Sequence, residues 1–230
     1  MIEDDFDQEN FVNTFDAQCP VRVPTNRGRR AIITKFFSNK SRRRLLSEFT
    51  LERDYYHYLE WDDSVEKYME QPCTVQYYHD GKLRNYTPDV GAIIIPIRKL
   101  RLIEVKPREQ ILENFSIIES IKHSMALRGL DFEIVDDSFI RSEPRLSNLS
   151  LLYGRYSGVE LCDASIYGII KLFRLHDYVL PFWMLLEILP AHDINLWEVY
   201  SMLWRKVIVF DLNMSLENPE TILTLDVRYH

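Results

Sequence analysis

Residues 85–107, NYTPDVGAIIIPIRKLRLIEVKP, constrain this chain more than any other stretch. They read as two apolar strands joined by a short basic turn. Asp89 follows Pro88 near the start of the first strand, and Glu104 and Lys106 sit two apart at the end of the second. Strand side chains alternate, so Glu104 and Lys106 share a face and Val105 points away. Ile93, Ile94, Ile95, Leu102 and Ile103 make the setting apolar. Burying Asp, Glu and Lys there is costly unless they pair with each other or hold a metal. Two carboxylates and an ammonium on adjacent strand ends suit a hard cation and a phosphate. An ordinary ion pair at a sheet end is the plain alternative.

A length of 230 residues allows one large domain or two small ones, and 46% hydrophobic content supports a proper core. Cys19, Cys73 and Cys162 lie far apart with no C-x-x-C pair. That argues against a zinc site or a disulfide framework, fits a reducing cytosol, and leaves all three as small core residues. The six histidines, His57 and His79 among them, form no metal-spaced set. The acidic opening MIEDDFDQEN is not a secretory leader. Residues 178–190 are too short to span a bilayer and contain Pro181 and Glu187, so no membrane is expected. The net charge of −7 speaks against nucleic acid only until its distribution is read.

Residues 1–20 read as an acidic tail or interaction segment. Residues 21–46 read as a basic arm. Arg22, Arg27, Arg29, Arg30, Lys35, Lys40, Arg42, Arg43 and Arg44 occur there with no acid among them. Such an arm neutralises DNA phosphates, or else it is a solvated or acid-paired face. From about Ser41 to Asp62, Leu45, Phe49, Leu51, Tyr55, Tyr58 and Leu59 make a helical stripe. Glu48 and Glu52 lie beside it, facing solvent or leaning over the sheet end.

Residues 65–71 read as a linker. Strands follow at 73–78, about 84–95 and 101–105, with a D-G hairpin turn at Asp80-Gly81. An amphipathic helix is expected at 110–128, with Gly129 as its C-cap, then a strand at 131–135. Residues 136–150 read as a polar linker, putting a boundary near 145/146. Beyond it, helices at 161–175, 183–189 and 194–203, the last capped by Asp193 or Asn195, precede β-rich runs at 206–212 and 221–227. Three short helices and a hairpin outline a winged helix; a generic accessory domain is the rival. The third helix has no Arg or Lys before Arg205, which favours protein contact over base reading.

P-D and then E-x-K on adjacent strands after a helical Glu resemble the PD-(D/E)-x-K nucleases. A closer likeness runs through LERDYYHYLEWDDSVEKYMEQP, DGKLRNYTPDV and LIEVKP, across about residues 47–107. These segments resemble TnsA, the endonuclease subunit of heteromeric cut-and-paste transposons. The resemblance implies an α/β restriction-endonuclease-like core, a mixed central sheet flanked by helices, over residues 47–145. A small winged-helix-like domain over 146–230 would follow it.

It further implies a Mg²⁺-dependent DNA endonuclease, with Mn²⁺ able to substitute, that cuts the 5′-side strand at transposon ends. Double-stranded DNA, the DDE transposase TnsB and the AAA+ ATPase TnsC would be its partners, the last through the C-terminal domain. Its setting would be bacterial cytoplasm, on the nucleoid when assembled. Glu52 of L-E-R-D matches the helical metal carboxylate, Asp89 the bridging ligand and Lys106 the catalytic lysine. Glu104 stands where some members have Gln, and the Val105 carbonyl completes the ligand set. A non-catalytic adaptor between transposase and ATPase, or a stand-alone restriction or repair nuclease, are the competing readings.

Overall fold

The computed structural model describes residues 6–22, 33–156 and 160–229. The chain divides into two compact units, Met1–Arg141 and Ser142–His230.

The first unit is mixed α/β. Its centre is a four-stranded sheet in the order β3 (Val65–Glu70), β6 (Val90–Ile94), β7 (Lys99–Lys106), β8 (Asp131–Asp136). β6 runs antiparallel to both β3 and β7, and β7 and β8 are parallel. A parallel pair needs a long crossover, and α3 (Arg108–Glu113) and α4 (Phe115–Leu127) supply it. Residues 65–71, expected to be a linker, are instead mostly the β3 edge of the sheet.

Each face of the sheet has its own cover. Leu100 and Leu102 of β7 and Ile93 of β6 join Ile121 and Met125 of α4 in one core. On the other face α2 (Thr50–Trp61) buries Leu51, Tyr55, Tyr56 and Leu59. Tyr56 packs on Tyr68 of β3 at 5.6 Å and on Phe36 at 5.5 Å between ring centroids.

Two hairpins stand outside the central sheet: β1 (Thr34–Ser38) with β2 (Arg43–Ser47), and β4 (Val75–His79) with β5 (Lys82–Tyr86). In the second, Asp80 (φ 50°) and Gly81 (φ 70°) both adopt the left-handed conformation that a two-residue type I′ turn requires.

Several sequence expectations need correcting. The helix does not begin near Ser41; that stretch forms β2, and α2 starts at Thr50. Leu45 and Ser47 alternate inward because they pair with β1 across the hairpin turn, outside the run read as helical. The expected strand at 84–95 is two strands in two different sheets. Pro88, which lacks an N–H, lies in the break between them. The helix at 110–128 is interrupted at Asn114.

The acidic N-terminal segment is no loose tail over its described part. α1 (Gln8–Asn13) and the turn after it place Phe11, Val12 and Phe15 in the α4-side core. Cys73 is buried, but Cys19 and Cys162 are exposed, so only one of the three cysteines is a core residue.

Gly91 is required where β6 passes Pro72. A Cβ at Gly91 would stand 2.7 Å from the Pro72 Cγ and 2.8 Å from its Cβ. Pro72 follows Gln71, whose N–H donates to the Asp89 carbonyl at 2.9 Å. Gly91→Ala should therefore destabilise the protein by about 1–3 kcal/mol in urea unfolding, the usual cost of overpacking. An unchanged midpoint would show that Pro72 yields freely.

The second unit pairs α6 (Arg145–Tyr156) with α9 (Leu196–Trp204). Tyr156 stacks on Trp204 at 4.5 Å. α5 (Asp137–Ile140) and α6 replace the polar linker expected at 136–150. α7 (Asp163–Leu175), β9 (Val179–Pro181) and α8 (Phe182–Ile188) follow α6, and β10 (Ile208–Phe210) and β11 (Ile222–Leu225) follow α9. The strands form a sheet in the order β10-β11-β9.

Asn195, one of the two expected caps, closes α9 in a reciprocal capping box with Glu198. Buried Asn148 donates to the Leu212 and Met214 carbonyls at 2.9 and 2.8 Å. It also accepts the Leu216 N–H at 2.9 Å, which fastens the β10–β11 loop to α6. Among the described residues, no helix is long and apolar enough to cross a membrane.

Candidate active site

β6 and β7 carry Asp89 and Glu104 to the same end of the sheet, and α2 brings Glu52 there from the other face. A cavity of about 420 Å³ opens at this point. Glu52, Asp89, Glu104, Val105 and Lys106 all line it, so the structure gathers the five residues singled out from sequence.

The contacts are specific. Asp89 Oδ2 accepts the Val105 N–H at 2.9 Å, which ties the two strand ends together. Lys106 Nζ donates to Glu104 Oε1, as their shared strand face requires. The Tyr86 hydroxyl donates to Glu104 Oε2. Glu52 Oε2 accepts the Glu48 N–H at 3.3 Å, so Glu48 contributes backbone to the site while its own carboxylate pairs with Arg22 at 3.0 Å.

Glu52 and Asp89, crowded with Glu104 in one low-dielectric site, resist ionisation. Burial, followed by the charges of Glu48 and Glu104, raises Glu52 from its usual 4.5 to about 7. Asp89 opens onto the cavity but is otherwise enclosed by protein. Burial, then the charges of Glu104 and Glu52, hold it well above the ordinary carboxylate range, against the pull of the Val105 N–H and Lys106. A site that opposes the charge of its own acids is a site that gains from a cation.

The donors are all oxygen, the set a hard divalent cation takes, and in that chemical sense the residues fit Mg²⁺. Among the described residues, no group of three His, Cys, Asp or Glu side chains stands at metal-coordinating spacing. Each carboxylate accepts from a protein donor, on one oxygen of Asp89 and of Glu52 and on both oxygens of Glu104, so ligation through Glu104 Oε1 requires Lys106 to yield.

Two contributors carry no signal in the sequence, Tyr86, within the Y-T-P-D segment, and Arg141. Arg22, expected in the basic arm, lines the cavity beside Glu48. Arg141 reaches the cavity from the end of the first unit, donating to Thr50 Oγ1 at 2.9 Å and to Asp54 Oδ2 at 3.3 Å. Distance along the chain hides the place of both arginines at this cavity.

Among the described residues, the expected DNA-contacting cations lie on the β1–β2 hairpin. Arg27, Arg29 and Arg30 lie outside the described residues. Lys40 is engaged by the Asp62 and Val65 carbonyls, and Arg43 by buried Glu70, so both have structural work. Lys35, Arg42 and Arg44 are exposed on the β1–β2 hairpin.

A mixed sheet flanked by helices, with acids and a lysine converging at one end, is compatible with a nuclease core. Residues 62–137 match the model of the TnsA-like endonuclease N-terminal domain, so this part of the chain is similar to that domain. The matched span holds Asp89, Glu104 and Lys106; Glu52 precedes it. No curated protein matches the chain significantly.

Proposed function

We propose that this chain is the Mg²⁺-dependent endonuclease subunit of a heteromeric cut-and-paste transposase. It hydrolyses the 5′-side strand at transposon ends alongside a DDE transposase. The observation that carries the proposal is the convergence of Glu52, Asp89, Glu104 and Lys106 on one cavity.

Asp89, Glu104, Glu52 and the Val105 carbonyl would hold the cation. When bound, Mg²⁺ or Mn²⁺ acidifies a water and neutralises charge on the phosphate. Lys106, half-exposed and beside the acids, orients the attacking water or stabilises charge developing on phosphorus. Arg22 and Arg141, on the cavity wall, suit the flanking phosphates. The low dielectric of the sheet end strengthens each of these interactions.

A non-catalytic adaptor would have no use for acids buried at this cost. We read the second unit as a winged helix, a reading supported by the succession α7, β9, α8, α9, β10, β11. Its α9 has no Lys or Arg and leaves Leu196 and Trp197 exposed, which favours docking a protein such as the AAA+ ATPase over reading DNA.

The test is cutting of a duplex that carries a transposon end, by the full chain together with its DDE transposase. A nick confined to one strand, present with Mg²⁺ and absent with EDTA, is expected. Intact DNA in that mixture defeats the proposal, and cutting without the transposase at a short recognition sequence favours a stand-alone nuclease.

A further inference from the structure

Glu104 is held from two sides. Lys106 Nζ donates to Oε1 and the Tyr86 hydroxyl donates to Oε2. The two donors differ in freedom. The Lys106 side chain is 30% exposed and lines the cavity, so it can turn to a substrate. Tyr86 is fixed. Its ring meets Tyr77 edge-on at 6.3 Å and Phe132 at 6.0 Å, and it packs against the α4-side core.

Tyr86 also walls a second cavity of about 180 Å³ behind Glu104, lined by Ile117, Ile118 and Ile121 of α4. Tyr86 is the last residue of β5, in a hairpin outside the central sheet.

Resting on the endonuclease reading, we propose that Tyr86 is a positioning residue. Its hydroxyl fixes Oε2 of Glu104, so that Oε1 is presented to the divalent cation once Lys106 lets go. The β4–β5 hairpin then acts as a buttress for the metal site. A carboxylate with one oxygen pinned also loses less rotational freedom on ligation than one swinging free.

Tyr86→Phe keeps the ring contacts and removes only the hydroxyl. Calorimetric titration of the full chain with Mn²⁺, without DNA, should give an affinity about 10- to 100-fold weaker than wild type, the usual range for outer partners of metal ligands. Melting in EDTA establishes that the variant is folded. In a Glu104→Ala background the same Tyr86→Phe change should leave Mn²⁺ affinity unaltered, because the effect passes through Glu104. That background separates positioning from general loosening, which would weaken binding in both. Wild-type affinity in Tyr86→Phe, or an equal loss in both backgrounds, overturns the proposal and leaves the endonuclease reading standing. A wild-type chain that binds no Mn²⁺ overturns both.

Discussion

Asp89→Ala is expected to leave a folded protein that nicks DNA at least on the order of 10³-fold more slowly than wild type. Asp89 has the central place: Glu104 and Glu52 both act on it through their charge, and its Oδ2 is bonded to the next strand. Alanine removes the ligand and frees the Val105 N–H into a wet cavity, where water can take it. The fold should therefore survive. Lys106→Ala should lose cutting to a similar extent by a different route, since the cation source stays but the ammonium beside the phosphate is gone. Single-turnover cleavage at matched Mg²⁺, with circular dichroism as the folding control, measures both. Near-wild-type cutting by either variant sinks the site assignment.

Glu52→Gln should lose cutting and gain stability. The Glu52 carboxyl titrates at about 7 in the fold, against 4.5 for an ordinary Glu. The folded state thus holds this proton more tightly than the unfolded chain. The stability it supports is fully present below about pH 4.5 and drains away as the pH rises through about 7. The shift corresponds to a loss of on the order of 3 kcal/mol by pH 8, with Asp89 displaced in the same direction. Glutamine cannot ionise, so without metal the variant should unfold at higher urea than wild type at pH 8, and the two should converge near pH 4. Mg²⁺ at a hundredfold excess over its dissociation constant should stabilise wild type by about 2.7 kcal/mol, and the variant by less. Parallel stability curves across this pH range would show that Glu52 bears no such strain.

Local chemistry made much of the core legible. The Asp80-Gly81 turn, the alternation along β7 and the Asn195 cap each follow from residues within a few positions of one another. Pairing across long separations did not announce itself. The β1–β2 hairpin hid inside a run that also fits a helix, because Phe36 meets Leu45 only once the chain has turned back. β9 is three residues long and exists through β11, more than forty residues later. At the site, the acid and lysine spacing was visible within one hairpin's length. The hydroxyl behind Glu104 and the guanidiniums of Arg22 and Arg141 were not, since nothing in their own neighbourhoods marks a shared cavity. The aromatic N-terminal residues looked like a tail because acids surround them, yet burial was decided by Phe11 and Phe15.

β8 closes one side of the central sheet, and it is the kind of strand that could recruit a second copy by edge pairing. Its sequence, DFEIVD, guards against that. Asp131 and Glu133 are held by Arg101 of the neighbouring strand, at 2.9 and 3.3 Å, and Asp136 stands at the far end. Two such edges brought together would oppose acid to acid with their counter-charges already committed. The strand that completes the sheet therefore also discourages fibrous self-association when the protein is concentrated.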